Sequence, residues 1–142
     1  MITTNSKIKS KVKIIAILGL LAVILGAFGS HGLKPKLAAS SYSAYQTGIQ
    51  YHFYHILAAL ATVLLSSTLS ERWLHRSFYS FIIGTVLFSG SLYLLAIKDI
   101  VGIPLLKIAG PITPIGGLFL IIGWSFLLKA CYSGTNENLP VK

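Results

Sequence analysis

Residues 14–33, IIAILGLLAVILGAFGSHGL, run for 20 positions without a charged side chain, directly after Lys7, Lys9, Lys11 and Lys13. A helix rises about 1.5 Å per residue, so such a stretch reaches across a hydrocarbon layer about 30 Å thick. Three more uncharged windows follow: Leu37–Ser70, Ser77–Ile97 and Ile108–Leu128. The last two match one crossing each, whereas the 34 residues of Leu37–Ser70 are too many for one. The pattern predicts an all-α protein, a four-helix transmembrane bundle with spans at about 14–30, 49–69, 78–97 and 112–128.

Composition agrees. Of 142 residues, 54% are hydrophobic and 11% charged, against about 25% charged in soluble domains. One membrane-embedded domain, 14–132, is expected between a mobile basic cytoplasmic tail (1–13) and a polar C-terminal tail (133–142). The net charge of +9 sits at window edges and not along one helix face, which suits lipid headgroups and argues against nucleic acid. Eight basic residues, with Arg72, Arg76, Lys129 and Lys142 joining the four N-terminal lysines, fall on one side. Lys34, Lys36, Lys98 and Lys107 fall on the other. The imbalance predicts both termini in the cytoplasm. A cleaved signal peptide ending near Ala27-Phe28-Gly29 is the rival reading of the first window, but its apolar run exceeds the usual 7 to 15 residues. A single cysteine, Cys131, excludes an internal disulfide.

The long window divides by texture. Residues 37–47 mix Ser40, Ser41, Ser43, Gln46 and Thr47 with Tyr42 and Tyr45, which reads as a short amphipathic interfacial helix between spans 1 and 2, its tyrosines at headgroup level and Gly48 turning the chain into span 2. In span 1 Gly19, Ala22, Gly26 and Ser30 fall at helical spacings of three and four, letting another backbone approach. The residues expected to serve helix packing are Gly19, Gly26 and Gly29 in span 1, Gly84 and Gly90 in span 3, and Gly116 and Gly123, one heptad apart, in span 4. Ser77, Ser80, Gly84 and Ser91 make one small polar face that should point inward. Thr113 followed by Pro114 predicts the cap and first residue of the last helix. Trp124 and Tyr132 suit the inner interface.

No Asp or Glu lies in any window, which argues against carboxylate-driven proton or cation relays. Nucleotide-binding, zinc-protease and nucleophile-elbow motifs are absent. The one polar cluster with chemical potential is His31, Tyr51, His52, Tyr54 and His55, placed by the span boundaries at the outer ends of the first two helices. Imidazoles can ligate zinc, copper or haem iron, but histidines also hydrogen-bond carbonyls at helix ends, and the latter reading predicts neither a metal site nor a cofactor.

Four strings in this order are together distinctive: Gly26-Ala27-Phe28-Gly29-Ser30-His31-Gly32-Leu33, Tyr51-His52-Phe53-Tyr54-His55, Phe88-Ser89-Gly90-Ser91-Leu92-Tyr93, and Thr113-Pro114-Ile115-Gly116-Gly117 with Gly123-Trp124. The chain resembles the YgdD-like or transmembrane-protein-256-like family, also called domain of unknown function 423, over about Ile14 to Leu128. The resemblance implies a multi-pass protein of a bacterial inner or plasma membrane and supplies no mechanism. Ser30 stands where the family often has alanine. The expected role is that of a non-enzymatic accessory or self-associating bundle, its partners the lipid bilayer and either further copies or another membrane protein. The alternatives are a small oligomeric transporter or channel, or a metal- or haem-binding component built on His31, His52 and His55.

Overall fold

The computed structural model describes residues 2–103 and 108–133. Four helices carry the fold: α1 (Ile2–Phe28), α2 (Ala39–Leu64), α3 (Glu71–Val101) and α4 (Ile112–Tyr132). All four are long and apolar enough to cross a membrane. Lys107, counted among the outer basic residues, and the tail from 134 onward, with Lys142, lie outside the described residues.

α1 starts at Ile2, so the segment expected as a mobile tail is helical. Extending a helix already nucleated by an apolar span costs little, and lysine is a good helix former. Lys11 also gains a contact, its Nζ lying 5.3 Å from the centre of the Phe78 ring on α3. At its far end α1 widens into a π-helical turn, Gly29–Leu33, closed by the Lys34 N–H on the Gly29 carbonyl at 2.9 Å.

The expected interfacial helix is instead the beginning of α2, which runs unbroken from Ala39 through Gly48 into the apolar stretch. Two contacts explain this. Tyr45 is buried against α1: its hydroxyl donates to the Leu25 carbonyl at 2.7 Å. Gly48 is where α2 meets α3, since a Cβ there would come within 2.8 Å of the Tyr93 ring. The amphipathic texture of 37–47 thus marks a helix turned toward protein on one flank. Tyr45→Phe should cost about 1 kcal/mol, the net worth of one such bond, and loosen α1 first; reversible unfolding in mixed detergent, with protease cleavage in α1 as local readout, checks it.

The helices form a row. α3 packs along α2 on one flank and α4 on the other, and α1 packs on α2. The α3–α4 seam is the tightest. Gly116 lies against the Phe88 backbone, Gly84 against Leu120 and Gly123 against the Phe81 ring. Ser77, Ser80, Gly84 and Ser91 are all buried, with the Ser77 hydroxyl donating to the Gly123 carbonyl at 2.7 Å and Ser91 sharing a 2.7 Å bond with Thr113. Thr113 therefore ties α4 to α3 and does not cap it; Pro111 holds the cap position, with no side-chain bond. Of the other glycines assigned to packing, Gly29 lies against the Tyr45 ring and Gly26 makes ordinary contact with Ile49, while Gly19 and Gly90 face open space.

Basic side chains gather where α1 and α3 begin and α4 ends. There the Trp73 ring has Lys129 Nζ 4.0 Å from its centre and the Arg76 guanidinium 4.7 Å away. Such contacts hold a cation and an aromatic at headgroup depth.

Candidate functional site

Because α3 separates α2 from α4, the open side of these three helices is a lateral cleft. Its volume is ≈ 600 Å³, and its walls are Tyr51, Tyr54 and His55 of α2, Phe88 of α3, and Gly117, Leu120, Ile121 and Trp124 of α4. His55, Phe88 and Trp124 fall near the middle of their helices. Tyr51, His52, Tyr54 and His55, expected at the outer end of a span, therefore lie well inside α2, because that helix begins at Ala39 and not near residue 49.

His55 is held at both ring nitrogens. Its Nδ1 lies 2.8 Å from the Tyr51 carbonyl, an acceptor only, so Nδ1 carries the proton and donates. Nε2 then has a lone pair, and the Trp124 indole N–H donates to it at 3.3 Å. The imidazole is thus neutral, in one tautomer, with no coordination position to spare. The Tyr51 ring stacks on Phe88 at 4.6 Å, and the Trp124 ring meets Phe81 edge-on at 5.3 Å.

His52, one turn earlier on α2, belongs to a different seam. Its Nδ1 pairs with the Tyr93 hydroxyl of α3 at 3.0 Å, and its Nε2 is buried without a partner among the described residues. The Ser89 hydroxyl of α3 is likewise buried without a partner among the described residues. His31 is exposed, on the π-helical turn at the end of α1.

Of the five residues singled out in the sequence, three line the cleft, His52 stands behind it, and His31 is elsewhere. Among the described residues no three His, Cys, Asp or Glu side chains gather as a metal site. The three histidines do not converge on one point, since each imidazole has a different environment. The α4 wall was missed. Gly117 and Trp124 stand seven residues apart, hence on one face, but Trp124 reads in the sequence as an interfacial anchor; what reassigns it is the bond to His55.

Residues 25–117 match the family model described as protein of unknown function (DUF423). The chain is similar to the UPF0382 membrane protein YwdK of Bacillus subtilis, with 41% identity covering 81% of this chain and 89% of the relative. It is likewise similar to a UPF0382 membrane protein of Haemophilus influenzae, at 40% identity over 78% of this chain and 84% of the relative. The inner membrane protein YgdD of Escherichia coli K12 is 37% identical, over 80% of this chain and 82% of its own length. No solved structure matches. With four membrane-length helices, a family match over most of the chain and relatives of this kind, the chain is a transmembrane protein and belongs to the DUF423 (UPF0382) family.

Proposed function

We propose that this protein acts without catalysis, by self-association within the bilayer, the bare flank of α1 from one copy seating in the α2–α4 cleft of the next. The observation that carries the reading is the cleft itself. Its histidine is already engaged, since His55 holds both the Trp124 indole and the Tyr51 carbonyl. Apart from the hydroxyls of the exposed Tyr51 and Tyr54, the walls are apolar, so an occupant supplies chiefly apolar side chains.

α1 meets that requirement. Of its membrane-length stretch 17% is buried, against 44% for α2, 39% for α3 and 22% for α4, whose inner flank already forms a cleft wall. Ile17, Leu20, Leu21 and Ile24 are exposed along it, and Gly19 has open space beside it. Polarity also fits. In one bilayer, α1 runs in the direction of α3 and opposite to α2 and α4, so a seated α1 would be antiparallel to both cleft walls, the arrangement that short connections produce within a chain. Filling the cleft gains dispersion contacts that flexible lipid tails make less well. The contact is heterologous, so it closes into a ring or continues as a chain.

The same reading puts both termini on the cytoplasmic side, supported by Lys7 to Lys13, Arg72, Arg76 and Lys129 at one end of the helices. Relatives bear the words membrane or inner membrane in their names, which supports a bacterial plasma membrane. Self-association predicts oligomers in native-lipid discs at low protein density, read by single-molecule photobleaching. Ile121→Trp, which fills the cleft from within, should shift them to monomers; a monomeric wild type would end the proposal.

A further inference from the structure

At the basic end of the molecule a second cleft, of ≈ 530 Å³, opens between α1, the last turn of α2 and the first turns of α3. Lys7 and Lys11 line it from α1, where their spacing of four puts them on one helix face. Glu71 and His75 line it from α3. Val63 and the half-exposed Tyr79 supply an apolar wall. Among the described residues, the ion pair found is Lys98–Asp99, on the far end of α3, so neither lysine is neutralised by a direct salt bridge to Glu71.

The geometry points to a binding site for the phosphate group of an anionic phospholipid drawn from the leaflet at this end. Two ammonium groups against one carboxylate leave the lining cationic, with the imidazole of His75 as a further donor. The Lys11 stem is held in place by its ammonium over the Phe78 ring, so the charge is positioned before the ligand arrives. A lipid, and not a soluble anion, fits the second wall: Val63 and Tyr79 run from the cations toward the membrane-buried part of the helices, where a glycerol backbone and the start of an acyl chain would lie. The site is also at the right depth. Arg72, Arg76 and Lys129 around Trp73 mark the headgroup layer on the neighbouring face.

Lysines near an anionic leaflet each add attraction that salt screens, so the test is direct. Purified protein is exchanged into discs of phosphatidylcholine containing a minority of phosphatidylglycerol, and lipid retained after mild delipidation is counted by native mass spectrometry at rising salt. Wild type should retain phosphatidylglycerol selectively, less so at high salt. Lys7→Gln with Lys11→Gln should lower retention about tenfold or more, while Lys34→Gln with Lys36→Gln, at the opposite end, should leave it unchanged. Glu71→Gln should raise retention, because it removes the one repelling charge; a merely structural role for this cleft does not predict that gain. Equal retention by the Lys7 and Lys11 variant would overturn the site. Displacement of the lipid by millimolar inorganic phosphate would also overturn it, showing a soluble anion as the ligand.

Discussion

Gly116→Leu should destabilise the folded protein by about 3 kcal/mol, the upper part of the range for overpacking, and leave little correctly folded material in membranes. A side chain at this position would enter the space of the Phe88 backbone nitrogen and Cα and of the Leu87 carbonyl carbon. Flexible side chains can swing away from a clash; a helix backbone has to move as a body. Moving it breaks the rest of the seam, because the Ser77 bond to the Gly123 carbonyl and the Ser91 bond to Thr113 share those two helices. Gly90→Ala is the matched control. It adds a methyl group on α3 where nothing lies within 4 Å, and its effect should be near zero or slightly favourable, as alanine is the better helix former. Reversible unfolding in mixed detergent, followed by far-ultraviolet circular dichroism, separates the two. Equal stability of both variants would show that α3 and α4 do not meet through Gly116.

His55→Ala should cost about 2–4 kcal/mol, the range for opening a cavity at a buried large side chain. The loss has two parts. The imidazole is buried among Phe81, Tyr51 and Trp124, so its removal leaves a void. It also leaves the Trp124 N–H without its acceptor between α2 and α4, and an unpaired donor away from water is costly. Spectroscopy distinguishes the parts. In a Trp73→Phe background, Trp124 is the one remaining tryptophan, and its emission should move to shorter wavelength when the hydrogen bond is lost. His55→Gln, which keeps an acceptor, should restore much of the wild-type spectrum. An unchanged emission in His55→Ala would remove the Trp124–His55 bond from the account.

Much of this fold is legible because a bilayer imposes simple rules. Backbone groups in hydrocarbon must be satisfied within the segment, so uncharged windows of membrane length read directly as helices, and four helices long and apolar enough to cross a membrane are found. The reading fails where a segment could face either water or protein. The serines and tyrosines of 37–47 have the texture of an interfacial helix, but Tyr45 finds the Leu25 carbonyl and the segment becomes part of α2. Thr113 has the place of a cap, but Ser91 is closer. The same shift moves the histidines. Lengthening α2 at its start carries Tyr51 and His55 to the middle of the helix, and only tertiary contacts separate His52, which turns to Tyr93, from His55, which turns to Trp124. Spacing alone puts both on one side of a turn; it does not say which neighbour each will meet. The glycines divide for a related reason. Gly84, Gly116 and Gly123 lie on the faces that α3 and α4 turn to each other, whereas Gly19 and Gly90 have the same chemistry on flanks with no intramolecular neighbour.

Those unfilled flanks give the account its most exposed claim, that α1 of one copy occupies the α2–α4 cleft of another. Mixed-copy crosslinking tests it. One copy carries Leu20→Cys and the other Ile121→Cys, both in a Cys131→Ser background and each with a different tag, and they are co-expressed and treated in native membranes with a short thiol-specific crosslinker. The account predicts a covalent heterodimer carrying both tags, with much less product when Leu20→Cys is replaced by Ala22→Cys, whose position is buried inside its own copy. Equal crosslinking from both positions, or no heterodimer from Leu20 and Ile121, would contradict it.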